Sequence, residues 1–133
     1  MSAITTHVLD TVLGKPAAGV AVRLERQEGG GWIEVTQAEP AGAHLTERVQ
    51  GTTGAWSEVA RSATDADGRC RDLAEDAAAG VYRIVFGTGA YLHSKGRTSI
   101  YPEIAITFTC GGDGHYHLPL LLSDNSYTTY RGS

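Results

Sequence analysis

The chain reads as an all-β protein, an eight-stranded sandwich with one short helix. Three observations carry that reading. Short runs rich in Val, Ile, Thr and Tyr recur along the chain, 17 glycines and turn pairs separate them, and one segment alone carries start and stop signals for a helix. Many short strands with a single helix point to a β-sandwich and not to alternating α/β units.

The elements follow in order. A strand is expected over residues 4–9 and a second over 20–25, where Val20, Val22 and Leu24 alternate with Ala21, Arg23 and Glu25. Gly14-Lys15-Pro16 supplies a turn between them. Gly29-Gly30-Gly31 supplies another, because glycine reaches positive φ without steric cost. Further strands fit residues 32–36, 56–62, 80–87, 103–109 and 115–122, with a last short one at 126–131. Between them lies Thr88-Gly89-Ala90-Tyr91-Leu92-His93-Ser94-Lys95-Gly96. Thr88 is a cap candidate, Lys95 suits the last turn and Gly96 the left-handed stop, so a helix is expected over 88–96. Ala77-Ala78-Ala79 offers one more helical turn, cut short by Gly80.

Residues 37–55 stand apart as a polar stretch without a sustained period. The flanks resemble each other, Gly-Gly-Trp32-Ile-Glu34-Val35 before it and Gly-Ala-Trp56-Ser-Glu58-Val59 after it. Either a local duplication adds a hairpin strand here, or two short strands resemble each other by chance.

With 133 residues the chain fits one domain. A net charge of −4 and no basic stripe argue against a nucleic-acid partner. No run approaches the ~18 apolar residues of a membrane span. The N-terminus has neither a basic start nor an apolar stretch, so a cytoplasmic location is expected. Cys70 and Cys110 are then better read as thiols than as a disulfide.

Candidate chemistry begins with five histidines, His7, His44, His93, His115 and His117. Strand alternation puts His115 and His117 on one face. With His7 they could ligate zinc, or they could serve as an acid/base set, since imidazole titrates near ~6.5. Thr64-Asp65-Ala66-Asp67-Gly68-Arg69 begins like a calcium loop, but Arg69 occupies the fifth position where an oxygen ligand is needed. The segment is instead a turn, expected to aim Arg69 away from the strand. Ser126 to Ser133 stays strand-like to its end, which is unusual for a tail.

Together these stretches resemble the transthyretin-like 5-hydroxyisourate hydrolases. The matching pieces include Ile4-Thr5-Thr6-His7-Val8-Leu9-Asp10, Gly14-Lys15-Pro16, Thr64-Asp65-Ala66-Asp67-Gly68-Arg69 and Gly80-Val81-Tyr82-Arg83. His115-Tyr116-His117-Leu118-Pro119-Leu120-Leu121-Leu122-Ser123 and the closing Tyr130-Arg131-Gly132-Ser133 match best. The terminal tetrapeptide separates the hydrolases from the hormone-carrying transthyretins of the same fold. The resemblance implies His7, Arg69, His117 and Ser133 as catalytic residues and Arg69, Tyr130, Arg131 and Gly132 as substrate-binding ones. It also implies a homotetramer and hydrolysis of 5-hydroxyisourate by histidine-activated water, with no metal or organic cofactor. The alternative within the fold is a non-enzymatic small-molecule carrier. Two departures stand out: the insertion at 37–55, and Asp124-Asn125 where the family usually has proline after the Leu-Leu-Ser run.

Overall fold

The computed structural model describes the backbone of residues 1–38, 44–50 and 54–133, and the side chains of residues 1–29 and 54–133. In chain order come β1 (Ser2–Asp10), β2 (Lys15–Pro16), β3 (Ala21–Gln27), β4 (Trp32–Ala38), β5 (His44–Gln50) and β6 (Trp56–Ala63). Then follow β7 (Arg69–Ala77), β8 (Gly80–Phe86), α1 (Thr88–Ser94), β9 (Ile104–Cys110), β10 (His115–Leu122) and β11 (Tyr127–Thr129).

One sheet runs β11-β10-β1-β2, with β7 also paired to β1; the other runs β6-β3-β8-β9. The first sheet contains a parallel pair, β1 with β10, placing Thr5 opposite His117 and His7 opposite Pro119. Along β1 the burial alternates strictly, with Ser2, Ile4, Thr6, Val8 and Asp10 buried and the residues between them half-buried. Ile4 and Val8 therefore face the core while Thr5 and His7 face outward. The core joins Ile4, Val8, Leu120 and Leu122 of one sheet to Val22, Leu24, Ile84 and Phe86 of the other, with Leu92 of α1. Each such side chain contributes roughly 1.5–3 kcal/mol on burial.

The fold class is as expected, but one strand is not where the sequence placed it. Residues 32–36 do form a strand, β4, yet it pairs with β5 in a separate two-stranded sheet. That hairpin fits the extra strand suggested for the 37–55 stretch, of which residues 39–43 and 51–53 lie outside the described residues. β7, absent from the expected strands, takes its place in the sandwich, and with the two-residue β2 the two main sheets hold nine strands among the described residues. β7 escaped expectation for a physical reason. Its pairing with β1 shifts register twice, between Ser2 and Ile4 and between Ile4 and Thr6. Burial along β7 accordingly falls on Cys70, Leu73 and Ala77, a spacing that hides the strand period.

Two local expectations are corrected. Ala77-Ala78-Ala79 makes no helical turn: Ala77 closes β7 and the next strand starts at Gly80. Thr88 is not the cap of α1 but its first residue; Gly87 takes the cap position with no side-chain bond, and the buried Thr88 hydroxyl has no partner among the described residues. The stop is as expected. Gly96 has φ +71°, and the Gly96 and Arg97 N–H groups donate to the His93 and Leu92 carbonyls.

Asp124-Asn125, in place of the usual proline, builds the turn before β11 by its own bonds. Arg97 donates from Nε to Asp124 Oδ1 at 2.8 Å, and the Ile100 N–H donates to Asn125 Oδ1 at 2.9 Å. Arg97 is itself held by the fully buried Asp10, through Nη1 at 2.6 Å and Nη2 at 3.2 Å.

Candidate active site

β1, β7 and β10 lie side by side, so their outward residues form one surface. On it is a cavity of about 370 Å³ lined by Thr5 and Thr6 of β1, Arg69 and Arg71 of β7, His115 and His117 of β10, and Ser133 of the tail. Residues from both ends and the middle of the chain thus meet at one place.

Arg69 reaches the cavity through a tightly specified turn. Asp65 Oδ1 accepts from the Asp67 N–H at 2.9 Å and the Arg69 N–H at 3.0 Å, as short acidic side chains do in turns. These N–H groups hold the Asp65 carboxyl below its ordinary pKa. Gly68 has φ +74°, and a Cβ there would fall 2.4 Å from the Val8 carbonyl oxygen. Only glycine lets the turn close onto β1 this tightly. Contrary to expectation, the turn does not throw Arg69 off the strand: Arg69 is the first residue of β7, opposite His7.

The histidines differ in setting. His117 is half-buried and His115 exposed, and the Thr5 hydroxyl joins them, 2.7 Å from His117 Nδ1 and 2.8 Å from His115 Nε2. His7 does not line the cavity; its Nε2 is buried without a partner among the described residues. Burial and the Arg69 guanidinium lower the pKa of His7. Burial lowers that of His117 as well, with Arg69, His115 and His7 acting in the same direction. Both rings are therefore neutral near pH 7, the form that can accept a proton.

The tail folds back along β10. Gly132 forms a bridge with His117, its N–H donating to the His117 carbonyl at 2.7 Å. A Cβ on Gly132 would fall 2.7 Å from His117 Cδ2, so the glycine is what lets the tail lie on the ring. Ser133 then enters the cavity. Tyr130 and Arg131 do not: Tyr130 is 53% exposed, and the Arg131 guanidinium stacks on the Tyr116 ring with its centre 4.1 Å from the centroid.

Of the residues singled out from sequence, Arg69, His117 and Ser133 line the cavity, His7 and Gly132 adjoin it, and Tyr130 and Arg131 point elsewhere in the single chain. Thr5, Thr6 and Arg71 line the cavity though nothing in the sequence singled them out, and His115, weighed as a zinc ligand or one of an acid/base set, lines it too. Period-two alternation carried the signal for two of them, since Thr5 shares a face with His7 and His115 with His117; Arg71 lies in β7, whose period the register shifts hide. Among the described residues no three His, Cys, Asp or Glu side chains group as a metal site. No described helix is long and apolar enough to cross a membrane.

What this arrangement offers is a wall with two guanidinium groups, two imidazoles and hydroxyls. It suits a planar polar ring with adjacent carbonyl and N–H edges, and a water poised beside a base. Comparison with known proteins gives a consistent picture. Residues 4–132 match the model of the HIUase/Transthyretin family. A 5-hydroxyisourate hydrolase from Caulobacter vibrioides is 40% identical, with all of both chains covered. The structure of Klebsiella pneumoniae 5-hydroxyisourate hydrolase superposes with a TM-score of 0.73 at 31% identity, covering 100% of this chain and 94% of that one. Transthyretin from Sparus aurata superposes with a TM-score of 0.76 at 31% identity, over 97% and 95% of the two chains.

Proposed function

Because this chain belongs to the HIUase/Transthyretin family, we propose that it hydrolyses 5-hydroxyisourate, opening the ring in urate breakdown. The observation that carries the reading is the meeting of Arg69, His117 and Ser133 in one cavity. These are three of the four catalytic residues that the hydrolase resemblance implies, one from the middle of the chain and two from its C-terminal segment.

The chemistry follows from the groups at hand. Arg69 presents a planar fork to a carbonyl and an adjacent nitrogen of the substrate, orienting the ring and stabilising negative charge on the carbonyl oxygen. His117 is the base. Its Nδ1 faces Thr5, which leaves Nε2 to take a proton from water as the oxygen attacks the carbonyl carbon. His7 stands behind Arg69 as a neutral ring, and Ser133 supplies a polar group at the cavity wall. The new C–O bond forms, the ring C–N bond breaks, and the leaving nitrogen takes a proton to become a neutral ureido group. No metal or organic cofactor enters this scheme.

The carrier alternative draws support from the likeness to transthyretin, but two arginines and two histidines in the cavity favour chemistry over passive binding. The working assembly is proposed as a homotetramer in which the cavity opens toward a neighbouring subunit. That would bring the exposed Tyr130 and Tyr127 against other chains. Freshly generated 5-hydroxyisourate, followed by its ultraviolet decay with and without the protein, tests the reading. A tetramer by light scattering tests the assembly, and a fully active monomer would refute it.

A further inference from the structure

The Thr5 hydroxyl lies between two imidazoles, 2.7 Å from His117 Nδ1 and 2.8 Å from His115 Nε2. Parallel pairing makes this unavoidable: Thr5 is opposite His117, and His115 shares that strand face. A hydroxyl has one proton to give and lone pairs to accept with. It must therefore donate to one ring and accept from the other, so the tautomers of the two histidines are linked. The rings at its ends differ in access to water, since His117 is half-buried under the tail and His115 is exposed.

We propose that Thr5 is a proton relay that links His117 to His115 and to solvent, passing the attacking water's proton out and a proton back for the leaving nitrogen. The inference rests on the hydrolytic reading of the cavity. As the water oxygen bonds to the carbonyl carbon, His117 takes its proton at Nε2 while passing its Nδ1 proton to Thr5 Oγ1. Thr5 gives its own proton to His115 Nε2, and His115 releases one from Nδ1 to water. As the ring C–N bond breaks, the chain runs back. His115 takes a proton from water at Nδ1 and returns its Nε2 proton to Thr5, Thr5 returns one to His117 Nδ1, and His117 gives its Nε2 proton to the leaving nitrogen. Both rings and the hydroxyl are then in their starting tautomers, and the one surplus proton leaves with ionisation of the new carboxylic acid.

The charges around the path favour outward movement. Arg69 and Arg71 of β7 line the cavity with the two rings, and Arg69, His115 and His7 all disfavour a lasting positive charge on His117. Asp65 and Asp67 lie in the turn beside His7, where their charge favours protonation of that ring. Ser133 closes the tail side. A proton on His117 is thus poorly held, and the exposed His115 is its nearest exit.

Thr5 acts here as a positioning and relaying residue, and its test must show more than lost activity. Thr5→Val keeps the shape and removes the hydroxyl, while Thr5→Ser restores it. In weak buffer, kcat of Thr5→Val should fall by roughly tenfold to a hundredfold with KM little changed. Thr5→Ser should stay near wild type. Added imidazole should raise kcat of Thr5→Val and leave wild type unchanged, because a diffusible base replaces the relay. Should Thr5→Val fail to fold, His115→Gln, at an exposed position, carries the same imidazole test. A Thr5→Val rate within twofold of wild type, or a loss that imidazole does not repair, would overturn the relay. If wild type itself leaves 5-hydroxyisourate untouched, the hydrolytic reading fails instead.

Discussion

Gly132 lies flat against the His117 ring, so close that a Cβ on it would stand 2.7 Å from Cδ2. The same residue ties the tail to β10 through its N–H to the His117 carbonyl. The last residues of the chain therefore set where the proposed base sits.

Gly132→Ala is accordingly expected to displace the ring or detach the tail while leaving the sandwich core untouched. A misplacement of about 1 Å costs on the order of a hundredfold in rate, with the thermal midpoint close to wild type. Steady-state kinetics and a melt on one preparation check both. An alanine variant with full activity would show that the tail does not hold His117.

The lowered pKa values of His7 and His117 give a pH dependence. Burial is the larger cause for each and Arg69 the next, so the neutral rings persist below the ordinary value of 6.5. The acid limb of kcat/KM, which reports the free enzyme, should lie below that value. Arg69→Gln should move it upward while lowering the rate. The stability consequence has the same sign: below 6.5 the unfolded chain binds more protons than the folded one, so stability declines as pH falls. An acid limb above 6.5 in wild type would contradict the assigned setting.

Asp10 and Asp124 both hold Arg97 but should differ sharply when removed. Asp10 is fully buried; burial works against its charge, yet bonds from Arg97, the Leu13 N–H and Tyr91 hold its pKa below the ordinary 3.8. Burial and Asp10 push the Tyr91 hydroxyl up to about 12, which keeps it a donor. Asp10→Ala leaves the half-buried Arg97 guanidinium with Asp124 alone and takes the acceptor from the buried Tyr91 hydroxyl, and should cost about 3–5 kcal/mol. The Asp124 side chain is 40% exposed, so Asp124→Ala should cost about 1 kcal/mol or less. Urea unfolding of the two variants distinguishes them. The Asp10 contribution is present above pH 3.8 and is lost as the pH falls through its lower folded value.

Chelation should leave activity intact. His117 Nδ1 and His115 Nε2 both face the Thr5 hydroxyl, which turns these nitrogens toward a proton carrier and away from a shared metal ion. Turnover measured after EDTA treatment should equal the untreated rate. Loss on chelation with recovery on adding zinc would favour His7, His115 and His117 as metal ligands.

Much of this was legible in the sequence because alternation and turn chemistry are local. β1, β8 and β10 follow from their periods, and Gly96 from its place at the end of α1. The Asp65-to-Gly68 turn was legible too, since its bonds join residues at most four apart. What escaped notice depends on the third dimension. β7 lost its period to two register shifts against β1, and β4 left the sandwich to pair with β5. Thr5 carries no local mark of function; only the parallel register of β1 on β10, set by residues more than a hundred positions apart, brings its hydroxyl between two histidines. Arg131 is the reverse case: the tail motif draws attention to it, yet in the single chain its guanidinium rests on Tyr116.

This cavity, with His117 and Arg69 in it, is proposed to open 5-hydroxyisourate. The most direct measurement is stopped-flow ultraviolet decay of the freshly generated substrate with wild type, His117→Ala and Arg69→Ala, each shown folded by circular dichroism. Rapid decay is expected with wild type and a loss of roughly a hundredfold or more in each variant, whereas alanine at the exposed His93 should leave the rate unchanged. Decay at the uncatalysed rate with folded wild-type protein, or undiminished turnover in both variants, would contradict the proposal.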